Sequence, residues 1–295
     1  MTGKGEIMKK NALNASILLL GIVFLVVQSS VFAEPKKTLQ IKGSDTMVNL
    51  GQAWVEEYSR RHPDVSVAVT GGGSGTGIAA LLNGTCDIAE CSRAMEKKEV
   101  EQARAKGIEP NQEIVGLDGI AVVVSPKNPI KNLTIDQLRD IFMGIIKNWK
   151  EMGGDNKRIV ILSREVNSGT HVFFKEHILR RGNPKGPEEF SPAALLMPSS
   201  QAIADEVSNN ENAIGYYGMG YISPLQKVIA VAKDPNSPFV EPTIENVTNN
   251  SYPISRPLYL YTNGKPEGII REFIDFVYSK DGQQMVRRLD FVPIK

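Results

Sequence analysis

Val65-Ser-Val-Ala-Val-Thr70, then Gly71-Gly-Gly-Ser-Gly-Thr-Gly77, then Ile78-Ala-Ala-Leu-Leu82 are the three consecutive pieces that decide the fold. In the first, valines alternate with Ser66, Ala68 and Thr70, the period of a strand with one buried face. The second is a turn of glycines and small hydroxyls. The third begins an apolar pattern of helical character, and the spacing predicts a helix over 76–83 that Gly84 stops. A turn of this composition exposes backbone N–H groups, and the first turn of the helix adds its own unpaired donors. The stretch therefore offers a seat for an anion.

The same plan extends outward. Upstream, Leu39-Gln-Ile-Lys-Gly43 reads as a strand, and Thr46 or Asp45 caps a helix carrying Leu50, Trp54, Val55 and Tyr58 on one face. Pro63 ends that unit. Downstream, Asp87-Ile-Ala89 is another short strand. Strand, helix, strand, helix, strand in succession predicts a parallel sheet covered by helices.

Beyond Gly107–Asn111, a turn-rich break, Ile114–Leu117 and Ile120–Val124 are strand material. Pro126 and Pro129 mark a change of unit. A helix starts at Thr134, and Ile159–Leu162 forms a strand. Ser163-Arg-Glu-Val-Asn-Ser-Gly-Thr170 then repeats the hydroxyl-and-glycine character before Val172, Phe173, Glu176 and His177 continue as helix. Residues 182–198 read as loop and Ser200–Ser208 as helix. Ala213–Ile222 is a glycine-punctuated strand and turn, and Val228–Ala232 and Leu258–Thr262 are later strands. The chain closes with two helices, one around Ile269–Val277 and one over Gln283–Leu289. The simplest architecture is two α/β lobes facing a cleft: residues 38–124 with 226–295 in one, 125–225 in the other. Ile120–Val124 and Leu258–Tyr261 are the candidate strands beside the crossovers.

The totals agree. A chain of 295 residues, 41% apolar, can bury two cores. Net charge is +1, which gives no basic surface for nucleic acid. Lys9 and Lys10 precede an apolar run from Ala15 to Val27, and small residues follow up to Ala33. Residues 1–33 thus have the three regions of a secretory signal peptide, with cleavage expected near Ala33 and Met8 an alternative start. The run is short for a membrane span. Losing Lys4, Lys9, Lys10 and Glu6 with it takes the net charge from +1 to −1. Export permits a disulfide between Cys86 and Cys91. The competing reading, two buried thiols flanking a strand, is favoured. No cofactor is expected, and no Cys/His cluster suggests a metal.

Three stretches, Gly43-Ser-Asp-Thr-Met47, Gly71–Gly77 and Ser163–Thr170, have anion-seat character. A small tetrahedral oxyanion is costly to bury unless donors meet every oxygen. Helix N-termini and rotatable hydroxyls supply such donors, and Arg164 supplies a full charge and a two-pronged contact. At about 1.5–3 kcal/mol net per charge-assisted bond, a handful exceeds the about 8 kcal/mol that micromolar binding needs. Each piece has a plainer competitor. A glycine turn can be a tight connection, Thr46 a simple cap, and Arg164 can pair with a surface carboxylate such as Glu165. Asp87 can brace a loop. Tyr216 and Tyr217 suit a cleft wall and a core position equally well. The turn is no nucleotide loop, because Gly-Lys-Ser/Thr is missing. Ser168 with His171 invites a nucleophile-and-base reading, yet the Gly-x-Ser-x-Gly elbow is absent around Ser168. An exported phosphatase is the alternative from another class, and a binding protein for a different tetrahedral oxyanion is a second.

Ile41-Lys-Gly-Ser-Asp-Thr-Met47, Gly72-Gly-Ser-Gly-Thr-Gly77, Asp87-Ile-Ala-Glu-Cys-Ser-Arg93 and Arg164-Glu-Val-Asn-Ser-Gly-Thr170 together resemble the phosphate-binding proteins of bacterial high-affinity phosphate ABC transporters. Ser255-Arg-Pro-Leu-Tyr-Leu-Tyr-Thr262 resembles the late strand of that family. The similarity covers roughly residues 38–295. It implies a two-lobed periplasmic-binding-protein fold, type II-like, with mostly parallel sheets and helices on both faces. It implies a periplasmic, monomeric carrier without catalytic residues that hands inorganic phosphate to a membrane permease. Carried over residue by residue, the contacts are Thr46, the Met47 N–H, Ser74, Ser92, Arg164, Ser168, Gly169 and Thr170, with Gly75 in support. Some relatives carry an aspartate in the third loop, where this chain has Ser92. The acceptor for the ligand's proton is therefore open among Asp45, Asp87, Glu90 and Ser92.

Overall fold

The alternating valines of 65–70 do form a strand, and the glycine turn leads directly into a helix, Ser74–Leu82. The computed structural model describes residues 37–294; the leader expected over 1–33 lies outside them. The strands among the described residues are β1 (Lys37–Gly43), β2 (Val65–Thr70), β3 (Ile88–Cys91), β4 (Pro110–Val124), β5 (Asn132–Thr134), β6 (Val160–Arg164), β7 (Leu195–Met197), β8 (Ala213–Gly218), β9 (Lys227–Ala232) and β10 (Ser255–Asn263). They pair in the order β2-β1-β3-β10-β4-β8-β6-β7, with β9 joined to β4 and β5 to β9. β1 is parallel to β2 and β3, and β6 to β7 and β8, whereas β10 and β4 run antiparallel to their neighbours. The result is a mixed α/β fold with two parallel groups and an antiparallel seam between them.

The seam is where the sequence expectation changes most. Ile114–Leu117 and Ile120–Val124 are parts of one strand. Gly119, between them, sits opposite Ser255 in the ladder. The first part of β4 pairs with β10, and Ile120–Val124 pairs with β8 and β9. The run Ile120–Val124 is wholly buried, as expected for a strand covered on both faces. Part of the predicted 182–198 loop, Leu195–Met197, is strand, pairing with β6 as its edge partner.

The helices form where the sequence signals them. Thr134 caps Ile135–Phe142 with Gln137 in a reciprocal capping box. Leu138, Ile141 and Phe142 face inward from that helix. Helix Val48–Arg61 buries Leu50, Trp54 and Tyr58, and the Trp54 indole N–H donates to Gly282 O at 2.9 Å. This bond pins the helix to the last one, Lys280–Arg288. The thiols of Cys86 and Cys91 are free and buried.

One core residue titrates out of place. Glu90 in β3 is fully buried under Gly51, and neither carboxylate oxygen has a hydrogen-bond partner among the described residues. Burial alone pushes its carboxyl up to about 8. The unfolded chain releases this proton near 4.5, while the folded chain keeps it until about 8. Stability must therefore fall as pH climbs through that window and level off above it. Glu90→Gln removes the dependence. Its melting temperature relative to the parent is expected to rise steadily between pH 5 and pH 8, by several degrees in total. A constant difference over that range would overturn the assignment.

Candidate functional site

β1, β2 and β3 are parallel, so the segments leaving their carboxyl ends emerge on one edge of the sheet. That edge is where open α/β sheets place their ligands. The first segment turns through Asp45–Met47 into helix Val48–Arg61, the second is the glycine turn, and the third begins at Ser92. β6, in the other parallel group, leads through 165–168 into helix Gly169–Phe174.

These four segments meet. The Ser92 N–H donates to Ser74 Oγ at 3.0 Å, and the two serine hydroxyls lie 3.4 Å apart. The Thr46 and Thr170 hydroxyls are 2.9 Å apart although 124 residues separate them in sequence. A Cβ on Gly169 would stand 2.3 Å from Ser74 Oγ and 2.8 Å from Ser92 Oγ. Thr46, Ser74, Ser92, Ser168, Gly169 and Thr170 are all buried. The hydroxyl cluster expected from the sequence is thus assembled, with the start of a helix from each side pointing into it.

The mouth is fastened by Asn167. Its carbonyl accepts the Gly75 N–H at 3.0 Å, and its Nδ2 donates to Gly72 O at 2.8 Å and to Thr76 Oγ1 at 3.2 Å. Gly73 allows this approach. It has φ of 96°, and a Cβ there would come 2.6 Å from the Asn167 carbonyl oxygen.

Other expected contacts are placed differently. The Met47 N–H donates to Ser44 O at 3.1 Å, closing the turn. Arg164 is buried, and its guanidinium donates to Met197 O, Ser200 Oγ and Pro198 O. Its Nη1 also lies 2.9 Å from Asp45 Oδ2, so its carboxylate partner is Asp45 and not Glu165. Asp45 further accepts the Ser200 N–H and hydroxyl, both at 2.8 Å, and its own carbonyl accepts the Tyr221 hydroxyl. Arg164 and Asp45 are therefore a cross-link beside the cluster. Asp87 accepts the Gln40 N–H at 2.7 Å and braces β1. Glu90 points beneath helix Val48–Arg61, at Gly51.

Sequence reasoning missed Arg256. This residue of β10 is 2% exposed, and its Nη2 donates to Thr170 Oγ1 at 2.9 Å and lies 3.4 Å from Thr46 Oγ1. The fully buried Asp118 holds it, accepting from Nε at 3.0 Å and Nη2 at 2.8 Å. Burial pushes the Asp118 carboxyl up and the Arg256 guanidinium down, and the attraction between the two opposes both shifts. Nη1 of Arg256 has no partner among the described residues. The cluster therefore has a full positive charge with a donor to spare. The one available signal was an arginine, Arg256, directly before Pro257 in an otherwise apolar strand.

The nucleophile-and-base geometry does not form. Ser168 Oγ is the cap of helix Gly169–Phe174, accepting from the His171 backbone N–H. The His171 ring turns away, with Nδ1 3.2 Å from Ser163 Oγ. Burial brings that imidazole down to about 4, so it is neutral at neutral pH. Tyr216 completes this small network, its hydroxyl 2.8 Å from Ser163 Oγ, and is core.

Comparison with known proteins bears on this arrangement. Residues 30–281 match the family model described as the PBP superfamily domain. The phosphate-binding protein PstS of Pseudomonas aeruginosa is 35% identical over 269 residues, covering 85% of this chain and 81% of that protein. The PstS of Bacillus subtilis is 30% identical, covering 97% and 95%. Among solved structures, a putative phosphate ABC transporter substrate-binding protein from Clostridium perfringens, with bound phosphate, is 33% identical. It superposes with a TM-score of 0.79 over 88% of this chain and 100% of that one.

Proposed function

Given that the chain belongs to the PBP superfamily, and within it to the phosphate-binding proteins of ABC transporters, we propose that it is an exported carrier that closes on one inorganic phosphate and delivers it to a membrane permease. The observation that carries this reading is the meeting of hydroxyls and helix starts from both parallel groups in one buried cluster, beside the Arg256 guanidinium. Such a site meets the oxygens of a tetrahedral anion with fixed donors and one charge, and has no group placed to cleave a bond. The protein in this reading does no covalent chemistry.

The ligand is held by Thr46, Ser74, Ser92, Ser168, the Gly169 N–H, Thr170 and Arg256. Arg164 and Asp45 act one layer out, positioning the first loop and helix Ser200–Asn209. The Met47 N–H, occupied by Ser44, has no role in this assignment. Neither Asp87 nor Glu90 reaches the anion. The serine and threonine hydroxyls can each accept as well as donate, so they serve a protonated phosphate without a carboxylate. In this reading one lobe comprises residues 37–119 with 255–294, and the other 120–232, because Ile120–Val124 pairs with β8 of the second parallel group and also carries β9, which in turn pairs with β5.

Calorimetry on the purified protein tests the assignment. Phosphate is expected to bind one to one, with Thr46→Val and Ser74→Ala each weakening it about tenfold or more. Retention of full affinity in both variants would sink it. Asn167→Ala removes the two side-chain bonds of the fastening, to Gly72 O and Thr76 Oγ1, while leaving the backbone bond from the Gly75 N–H and the seat in place. It should raise the phosphate dissociation rate several-fold in stopped-flow measurements and leave the association rate nearly unchanged.

A further inference from the structure

Three separate elements of one side grip a single residue of the other. Oδ2 of Asp45 accepts the Ser200 N–H and hydroxyl, both at 2.8 Å, and lies 2.9 Å from Arg164 Nη1. The Asp45 carbonyl accepts the Tyr221 hydroxyl at 2.8 Å. Asp45 stands just beyond β1, in the first parallel group. Its partners stand at the end of β6, at the first residue of helix Ser200–Asn209 and in the short turn Met219–Tyr221 that follows β8. β6 and β8 are parallel neighbours in the second group.

The carboxylate thus occupies an anion seat of its own. A helix start, a hydroxyl and a guanidinium converge on one oxygen, a donor set that favours a negative charge. The guanidinium is held in place independently, by Met197 O at 3.3 Å and Pro198 O at 3.1 Å. Arg164 is 1% exposed, and among the described residues Asp45 is its only ion-pair partner. Separating the two sides takes the acid from this buried arginine and leaves the first N–H of the helix without its acceptor, which is costly. The bonds use protein atoms only, so they favour closure whether or not the phosphate seat is filled.

We propose that Asp45 is a tethered anion that draws the two sides together, so that the protein spends part of its time closed before phosphate arrives and holds phosphate longer once it is bound. The proposal rests on the phosphate reading of the neighbouring hydroxyl seat. Asp45 is a positioning residue and does not touch the ligand. It acts through Thr46, next in the chain, whose hydroxyl meets Thr170 when the sides are together. A fraction already closed withholds the seat from solution, so the same contact slows capture and release alike. Its removal speeds both. A residue that only shaped the first loop would, when removed, slow capture and speed release.

Small-angle scattering on the phosphate-free protein and stopped-flow phosphate kinetics test this on the parent, on Asp45→Asn and on Tyr221→Phe. Asparagine keeps the shape of the side chain and loses its charge, and phenylalanine removes one hydroxyl. Without phosphate, Asp45→Asn is expected to have a larger radius of gyration than the parent, and with phosphate bound the two coincide. Its dissociation rate rises at least tenfold, and its association rate rises several-fold. Tyr221→Phe moves all three quantities in the same direction by smaller amounts, and carries the test alone if Asp45→Asn does not fold. Equal radii without phosphate overturn the proposal, and so does faster release joined to slower capture. In both cases the phosphate reading stands. A parent protein that binds no phosphate overturns that reading, while the phosphate-free radii still decide whether Asp45 closes the molecule.

Discussion

Replacing Arg256 by methionine is expected to weaken phosphate binding by at least 100-fold and to destabilise the fold at the same time. The two effects have different causes. Arg256 supplies the charge and the Nη donors beside Thr46 and Thr170. Among the described residues it is also the only ion-pair partner of Asp118, which is fully buried. Taking one member from such a pair leaves an uncompensated charge and costs on the order of 3–5 kcal/mol. Asp118 would regain a proton, and the loss of stability would be smaller at acid pH. The double variant Arg256→Met with Asp118→Leu removes both charges, so it should recover most of the melting temperature and none of the binding. Recovery of binding in the double variant would show that Arg256 is a structural residue. Urea unfolding and phosphate calorimetry on the same preparations read the two effects separately.

Gly169→Ala is expected to abolish measurable phosphate binding while leaving the fold standing. The added methyl would lie 2.3 Å from Ser74 Oγ and 2.8 Å from Ser92 Oγ, and also 2.9 Å from Ser74 Cβ. Both serines are fixed: Ser74 opens a helix, and Ser92 donates its N–H to Ser74. The chain can relieve this contact only by drawing helix Gly169–Phe174 back from the glycine turn. That movement separates the two sets of donors, including the Thr46–Thr170 pair. Alanine is a better helix former than glycine at a helical position, so local stability does not suffer. The expectation is an unchanged melting temperature without phosphate and no rise when phosphate is added, whereas the parent rises by mass action. A normal ligand-induced rise in Gly169→Ala would show that the two loops do not close as described.

The strand, glycine turn and helix at 65–82 were legible because all three signals are local: an alternation, a run of glycines, an apolar face. The same holds for the capping box at Thr134 and the hydroxyl run at 168–170. The convergence of Thr46, Ser74, Ser92 and Thr170 was also readable, since each sits just beyond a strand and parallel strands send their connections to one edge. What the sequence hides is the direction in which long side chains reach. Arg164 ends its strand, but its guanidinium turns to Ser200 and Asp45, a contact set by how helix Ser200–Asn209 packs. Arg256 lies in a strand whose one local mark is that arginine itself, directly before Pro257. Only the pairing of β10 with β4 brings Asp118 opposite it in the ladder. Asp87 and Glu90 differ for a related reason. Asp87 precedes β3, at the end of the strand opposite the anion seat, and the alternation of the strand turns Glu90 to the face covered by helix Val48–Arg61, against Gly51.

β4 contributes its first ten residues to one ladder and its last five to another, without a break in the chain. At the joint, the Ile120 N–H donates to Ile254 O and the Tyr252 hydroxyl donates to Ile120 O, so the crossing point is bolted. A continuous ribbon of this kind resists shear and stretching but yields readily to torsion. Any movement of one parallel group relative to the other must therefore twist or bend this strand near Gly119 and Ile120. The molecule also cannot be divided at this point into two self-sufficient polypeptides, because each side would lose an inner rung-bearer of its sheet.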